Sequence, residues 1–503
     1  MVVIYPYYRY YVDPDGTAYF TIAKRYATGD YSRAINGLWS PWSCWLTATM
    51  LKIGFEAMVS AVVVNFIGAL AFVFVSNALL VHFNITSLLK WPLNLVMLVF
   101  VPYAIYFQLF DDIWQAFFLL CILLVMLRDD YVKKPALWVF TGFLAALAYF
   151  SKAYSFMFFG LNTIFCSFLI TRAWQRPNHK QWLKICVVSV IAMIVFSSPW
   201  IYLLHIKYGG WMTSTAFKLN MSWYMVGHPY WSDNIKYLIP PTYPGSVHYW
   251  EDPYLVNGKL PYFWHSIAFL KMEAIRLVYM FFILQTAMTE VSYFFVAVWI
   301  LAVGIIFSKK IRSLFPQKIS LLALTLLVFP IGLIFKNAES RYMWYMLPIS
   351  MVIGALVLQH FFAYINNRVL NCVIALVFAM SYILCPIMNL KLMFREGEND
   401  HNIAMQLKQL NVQGSFTANA AYGIQVQRNI RVAYFSGNPY YNIPDLEFPN
   451  SELLKELRRY HIKYYFFYYH ELDKPSVQFK NESGNVFPLA ADLPGLKVYS
   501  INP

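Results

Sequence analysis

Residues 55–83 read FEAMVSAVVVNFIGALAFVFVSNALLVHF, and this stretch decides the class of fold. A helix needs about 20 apolar residues to cross the hydrocarbon core of a bilayer, and this run is longer than that. Comparable apolar segments occupy residues 91–108, 113–127, 136–150, 154–170, 183–205, 287–307, 319–335, 342–364 and 369–392. The sequence therefore predicts a polytopic α-helical membrane protein.

The composition agrees with a membrane protein. The chain has 503 residues, of which 59% are hydrophobic and only 13% are charged, whereas a typical soluble domain has about 25% charged residues. Many basic residues flank apolar segments instead of forming one soluble basic face, so the net charge of +14 predicts no nucleic-acid partner. The cysteines lie in or beside apolar stretches, which predicts free thiols and no disulfide framework.

The first apolar run, Met1–Val12, is too short to cross a bilayer. As a helix it would span about 18 Å, against a core of about 30 Å. Either a part of the first helix precedes this sequence or the chain begins with a stub. Counting that run, we predict about eleven transmembrane helices, the first one truncated.

The basic residues predict the orientation of the chain. Loops with several Lys and Arg alternate with loops that have few, and the positive-inside rule places the basic loops in the cytoplasm. The large polar stretches then lie outside: residues 13–43, residues 209–265 and everything after Phe394. The loop 209–265 is rich in Tyr, Trp and Pro, and is predicted either to line a substrate cavity or to anchor the protein at the headgroups.

Two domains are predicted. Residues 1–394 form a transmembrane module with the external loops 13–43 and 209–265, and residues 395–503 form a small extracytoplasmic α/β domain. In the second domain, residues 415–419, 430–435, 462–468 and 496–501 read as strands, and residues 401–410 and 451–460 read as helices.

Asp13 and Asp15 stand directly before a predicted amphipathic helix that continues through Tyr19. The positive end of a helix dipole favours acids, so these carboxylates are either helix caps or catalytic groups.

Further charged residues lie at the external ends of apolar segments. Asp112 opens one such segment, and Lys152 stands between two others. Lys152 either snorkels to the surface or binds a phosphate. Arg341, followed by Tyr342, supplies a second cation for an anionic headgroup. Acids that accept a hydroxyl proton and cations that hold a phosphate suit group transfer from a lipid phosphate, and we predict that they share one external cavity.

These residues resemble the GT-C superfamily of polyprenyl-phosphate-sugar glycosyltransferases, which contains protein O-mannosyltransferases and the lipid A aminoarabinose transferase. The resemblance covers nearly the whole chain and consists of short motifs in the same order and on the same membrane side. They are an acid followed by Tyr (Asp15-Gly16-Thr17-Ala18-Tyr19), Pro41-Trp42-Ser43-Cys44-Trp45-Leu46, Asp112 with Phe117-Phe118, the stretch Gly142 to Lys152, Ser198-Pro199-Trp200 and Glu339-Ser340-Arg341-Tyr342.

The resemblance implies roles for the site residues. Asp15 would be the general base that takes the proton from an acceptor, with inversion at the anomeric carbon. Lys152 and Arg341, with Tyr342, would bind the phosphate of the donor. Gly16 replaces the second acid of the family, which leaves Asp13 or Asp112 as the second carboxylate. We therefore assign no residues to a metal site, and the sequence leaves undecided whether a divalent metal is a cofactor.

The expected partners are a polyprenyl-phosphate-linked sugar donor, a lipid, glycan or protein acceptor, and membrane lipids. The expected location is a bacterial inner membrane, with the active site and the C-terminal domain on the periplasmic side. Two alternatives are a transporter or flippase of lipid-linked sugars and an O-antigen polymerase or ligase. We find no internal repeat of the kind that transporters often show, and the second class would not require an acid directly after the first helix.

Overall fold

The computed structural model of the chain describes residues 3–107, 111–174, 180–226, 237–256, 260–335, 338–365, 367–419, 424–442, 450–469 and 478–501. The chain forms two compact units. The α/β unit consists of Met1–Ala34, Lys218–Glu273 and Met393–Pro503, and the helical unit consists of Ile35–Phe217 and Ala274–Leu392.

Each predicted membrane segment overlaps an apolar helix or two consecutive helices, and the segment 287–307 contains a sharp break between Val291 and Phe295. They are Ala57–His82, Ser87–Tyr106, Asp112–Met126, Pro135–Ser151, Tyr154–Trp174, Gln181–Tyr208, Ile267–Val291 with Phe295–Phe307, Ile319–Val328 with Ile331–Ile334, Met346–Phe362, and Arg368–Met380 with Leu384–Met393. Large apolar side chains such as Phe74, Leu95 and Ile275 are exposed on these helices. Such surfaces are stable where lipid replaces water as the solvent.

Fewer of the apolar helices are long enough to cross a membrane than the sequence predicted. Among the described residues, 4 helices are long and apolar enough to cross a membrane, or up to 6 if each bent pair forms one span. Two of the helix pairs are bent, by 110° after Val291 and by 41° after Met380. The count is lower than about eleven because several predicted segments are helices of 10–17 residues, and at 1.5 Å per residue these are shorter than the hydrocarbon core. In the predicted stub, the described residues form only the short helix Tyr5–Tyr8.

Shorter helices complete the helical unit. They are Pro41–Lys52, Tyr131–Lys133 and Lys309–Arg312, with Ser340–Met343 as a 3-10 turn before Met346. Close packing in this unit depends on a glycine. A Cβ on Gly142 would lie 2.4 Å from the backbone oxygen of Ser189, so the helices that contain these residues approach each other at a point where only glycine fits.

The α/β unit contains the sheet. Its strands are β1 (Phe416–Ala418), β2 (Tyr464–Tyr468), β3 (Leu489–Leu493) and β4 (Leu496–Ser500), in the order β1-β2-β4-β3. β1 pairs with β2 in parallel, and the other pairs are antiparallel. Its helices are Pro14–Thr28, Tyr31–Ala34, Ala216–Val226, Tyr249–Glu251, Pro253–Val256, Phe263–His265, Glu398–Gln409, Ile424–Ser436 and Asn450–Arg459. The predicted strands at 415–419, 462–468 and 496–501 are confirmed, as are both predicted helices.

The predicted strand at 430–435 is wrong, because these residues belong to the helix Ile424–Ser436. Val426, Ile430 and Ala433 are all buried, and their spacing of four and three residues matches one face of a helix. Residues 430–435 alone contain β-branched and aromatic residues that are typical of a strand, and the helical spacing of the buried residues is visible only over a longer stretch. The strand β3 was not predicted.

The three segments of the α/β unit hold one another. The backbone N–H of Arg395 donates to the oxygen of Tyr7 at 2.8 Å, and the N–H of Tyr440 donates to Val247 at 2.7 Å. Phe20 packs on Tyr434 with 5.8 Å between ring centroids. The N-terminal helix and part of the long loop therefore group with the C-terminal residues, whereas the sequence prediction placed them in the transmembrane module.

Candidate functional site

A charged cluster in the helical unit contains four of the predicted site residues. We define it as Asp112, Lys152, Glu339, Arg341 and Tyr342. Lys152 Nζ lies 2.7 Å from Asp112 Oδ1 and 4.6 Å from the centre of the Tyr342 ring. Arg341 pairs with Glu339, with 2.7 Å between Nε and Oε2, and its Nη1 lies 3.9 Å from Asp112 Oδ2. The structure thus brings both predicted phosphate-binding cations together with two carboxylates.

Helix ends place these side chains. Asp112 is the first residue of Asp112–Met126, and Lys152 is the C-cap of Pro135–Ser151. A negative charge at a helix N-terminus and a positive charge at a helix C-terminus both interact favourably with the helix dipole. Arg341 and Tyr342 lie in the 3-10 turn Ser340–Met343. The ends of three helical elements therefore carry the cluster.

Polar contacts next to the cluster fix the helices that carry it. Gln115 donates its side-chain N–H to Ser155 Oγ at 2.8 Å, which joins the turns that follow Asp112 and Lys152. The preceding acid, Asp111, accepts the backbone N–H of Ser43 at 2.7 Å. These bonds are buried, so they resist relative sliding of the elements.

Asp13 and Asp15 lie in the α/β unit and make different contacts. Asp13 is the N-cap of Pro14–Thr28, and its Oδ1 accepts the backbone N–H of Gly16 at 2.8 Å. Asp15 is half-buried in the first turn, and its Oδ1 accepts the indole N–H of Trp250 at 2.7 Å. Asp13 thus uses its side chain on its own helix, whereas the carboxylate of Asp15 is oriented by the long loop.

Contacts with Trp223 and His248 help to hold Trp250 in place. Its ring stacks on Trp223 with 5.5 Å between centroids, and its backbone N–H donates to His248 Nδ1 at 3.0 Å. Because Nδ1 accepts, the proton of neutral His248 is on Nε2, which lies 2.7 Å from Thr17 Oγ1. Burial lowers the pKa of His248 to about 3, which keeps the ring neutral.

A buried ion pair also joins the N-terminal helix to the long loop. Arg25 pairs with Glu251 through Nε, with Asp30 at 2.8 Å through Nη1, and donates to Ser246 Oγ at 3.0 Å. Burial alone would lower the pKa of Arg25, but the hydrogen bonds and charges of Glu251 and Asp30 outweigh burial and raise it. Arg25 lies in the predicted amphipathic helix and is only 8% exposed. The predicted amphipathic helix exists, and it packs inside the α/β unit on more than one face.

Among the described residues, no group of three or more His, Cys, Asp or Glu side chains could hold a metal ion. The structure therefore assigns no residues to the divalent metal that the sequence left open.

Sequence reasoning missed Trp250 and His248 as neighbours of the Asp15 helix. Trp250 is far from Asp15 in the chain, and no local pattern connects the two. The one signal was the density of aromatic residues in His248-Tyr249-Trp250-Glu251-Asp252-Pro253, within a loop too long for a simple connection.

The architecture defines a polytopic integral membrane protein with a small C-terminal sheet. It has the fold of GT-C superfamily enzymes. No protein-family model and no curated protein sequence matches the chain.

Among solved structures, ArnT from Cupriavidus metallidurans in the apo state matches with a TM-score of 0.53 and 14% identity, over 98% of this chain and 93% of that chain. ArnT from the same organism bound to undecaprenyl phosphate matches with a TM-score of 0.52 and 12% identity, over 100% and 95% of the two chains. An oligosaccharyltransferase of Archaeoglobus fulgidus gives a TM-score of 0.46 at 12% identity, over 90% of this chain and 65% of that chain. ArnT is an aminoarabinose transferase of the GT-C superfamily, so the predicted GT-C-like fold is confirmed.

Proposed function

We propose that this protein transfers a sugar from a polyprenyl-phosphate donor to an acceptor at the extracytoplasmic face of the membrane. The observation that carries the proposal is the charged cluster, in which Lys152, Arg341 and the Tyr342 hydroxyl supply donors suited to a phosphate group. The fold shared with ArnT, one of whose structures holds undecaprenyl phosphate, supports this choice of ligand.

The cations would act on the leaving group. When the bond between the anomeric carbon and the phosphate oxygen breaks, negative charge develops on the phosphate. Lys152 Nζ and the Arg341 guanidinium would stabilise that charge, and they do so strongly in a site where water is scarce. Asp112 would hold Lys152 in position by the 2.7 Å ion pair.

Asp15 would act as the general base. It would take the proton from the hydroxyl or amine of the acceptor while that group forms a bond to the anomeric carbon, so that a single displacement inverts the centre. The Trp250 indole N–H, 2.7 Å from Oδ1, would orient the carboxylate. Asp13 would stay the cap of the helix.

The proposal is tested by deleting the gene and analysing membrane lipids. A polyprenyl-phosphate-linked sugar should accumulate in the deletion strain and disappear on complementation with the wild-type gene. Complementation with Asp15→Asn should leave the lipid accumulated, because the side chain keeps its shape and loses its basicity. Asp30→Asn, which changes another acid near the same helix, should complement.

Normal turnover in Asp15→Asn would exclude Asp15 as the base. A purified wild-type protein that fails to transfer the accumulated sugar in detergent would favour a transporter, because transport needs two compartments and transfer does not.

A further inference from the structure

Glu339 contacts the same donor groups that the carrier phosphate would use. Its Oε2 lies 2.7 Å from Arg341 Nε, and its Oε1 accepts the Tyr342 hydroxyl at 3.1 Å. Carboxylate and phosphate oxygens are interchangeable partners for a guanidinium and a phenol. A phosphate that binds Nε of Arg341 and the hydroxyl of Tyr342 would replace the carboxylate of Glu339 at these atoms.

The two acids of the charged cluster differ in how easily they can leave. The side chain of Asp112 is 2% exposed, whereas that of Glu339 is 34% exposed. An ion pair at a partly exposed site costs little to open, because water solvates the released carboxylate. Glu339 also makes no side-chain capping hydrogen bond to the backbone of the 3-10 turn that it precedes.

The charges of the cluster explain why a movable acid matters. With Asp112 and Glu339 both in place, the charges of Lys152 and Arg341 are balanced. Release of Glu339 leaves one positive charge, which matches the single negative charge of a phosphodiester donor. After transfer, the carrier is a phosphomonoester with about −1.5 to −2 charges at pH 7, and this product would bind the cations more tightly than the donor does.

We propose that Glu339 is an internal competitor of the carrier phosphate: its carboxylate occupies Arg341 and Tyr342 in the free protein, yields them to the donor, and lowers the affinity for the product by competing for the same two groups. The inference rests on the proposed function, since it requires that the cluster binds the carrier. It assigns Glu339 to the affinity for the carrier and to product release, and not to the chemical step.

The experiment measures the Kd of undecaprenyl phosphate for the full-length protein in detergent. Glu339→Gln should bind it roughly three- to tenfold more tightly, because the neutral amide competes poorly with phosphate for Arg341. Glu339→Asp has a shorter side chain and should give a Kd between those of the wild type and Glu339→Gln. This variant replaces Glu339→Gln in the experiment if Glu339→Gln does not fold. Glu398→Gln, an exposed acid paired with Arg395, is the matched control and should keep the wild-type Kd.

Two outcomes separate this inference from the proposed function. If Lys152→Ala and Arg341→Ala weaken binding while Glu339→Gln leaves the Kd unchanged or weakens it, the competitor role is wrong and the cluster still binds the carrier. If neither cation variant changes the Kd, the cluster does not bind the carrier and the proposed function fails with it.

Discussion

Lys152 and Asp112 form an ion pair of 2.7 Å in which the carboxylate side chain is 2% exposed and the ammonium side chain 14%. When two charges are buried to this extent, each one is stabilised mainly by the other. Removing one partner leaves the other charge unsatisfied, which costs about 3–5 kcal/mol in fully buried pairs.

We therefore expect Asp112→Asn and Lys152→Met each to lower the midpoint of thermal unfolding in detergent. The double variant should be destabilised less than the sum of the two, with a coupling free energy of about 0.5–3 kcal/mol. The matched control is Asp130 with Lys134, also 2.7 Å apart, whose side chains are 29% and 59% exposed. That pair should show almost no coupling, and equal coupling in both cycles would mean that burial does not strengthen the Lys152 pair.

Trp250→Phe should slow sugar transfer. The substitution removes the indole N–H that donates to Asp15 and keeps an aromatic ring against Trp223. Because a hydrogen bond to a charged group contributes about 1.5–3 kcal/mol, kcat should fall about ten- to a hundredfold while the KM for the lipid donor stays near the wild-type value. Trp264→Phe is the control in the same loop, since that exposed ring stacks on Tyr262, and it should be fully active. A rise in KM without a change in kcat would contradict the orienting role.

His248 should make stability depend on pH. Its pKa is lowered to about 3 by burial, so between about pH 6.5 and pH 3 the unfolded chain binds a proton that the folded protein does not. Stability is then fully present above pH 6.5 and declines as the pH falls, by at most about 1.4 kcal/mol per pH unit. We expect the difference between the thermal midpoints of the wild type and of His248→Asn to become smaller as the pH falls from 7.5 to 4.5. Parallel curves would show that protonation of His248 is not linked to unfolding.

Gly142→Ala should destabilise the helical unit strongly, because the added Cβ would lie 2.4 Å from the Ser189 backbone oxygen. Backbone atoms cannot move aside as a side chain can, and the cost should reach at least about 1–3 kcal/mol. Gly160 offers the matched control, since a Cβ there meets nothing within 4 Å. In Gly160→Ala the helix should become more stable by about 0.8–1 kcal/mol. Differential scanning fluorimetry in detergent would compare the two, and an equal effect of both would refute the packing argument.

The sequence predicted the helices of the membrane because hydrophobic length is a local property. Each segment could be placed without knowledge of its neighbours. The grouping of Asp112, Lys152 and Arg341 could also be predicted. Charged residues at the ends of apolar helices avoid the lipid, so those on one side of the membrane are expected to lie close to one another. The role of each of these residues stays a prediction.

Other features depended on contacts between distant parts of the chain. The donation from Trp250 to Asp15 and the Arg25 to Glu251 pair join residues that are remote in sequence, and no spacing rule reveals such partners. The helix at Ile424–Ser436 was misjudged because a six-residue window fits a strand, whereas its buried face emerges only over a longer span. The exposed fraction of Glu339, on which the competitor role depends, is a property of packing alone.

The composition of the α/β unit has a consequence for biosynthesis. Its first segment ends at Ala34 and its last begins at Met393, so the ribosome supplies the second half of this unit about 360 residues after the first. At about 5–20 residues per second, the helix that carries Asp15 waits roughly 20–70 s for the last of the three segments. During that interval Phe20 lacks its packing partner Tyr434, which lies in the last segment. The order of the polypeptide therefore delays completion of this unit until translation of the chain is nearly finished.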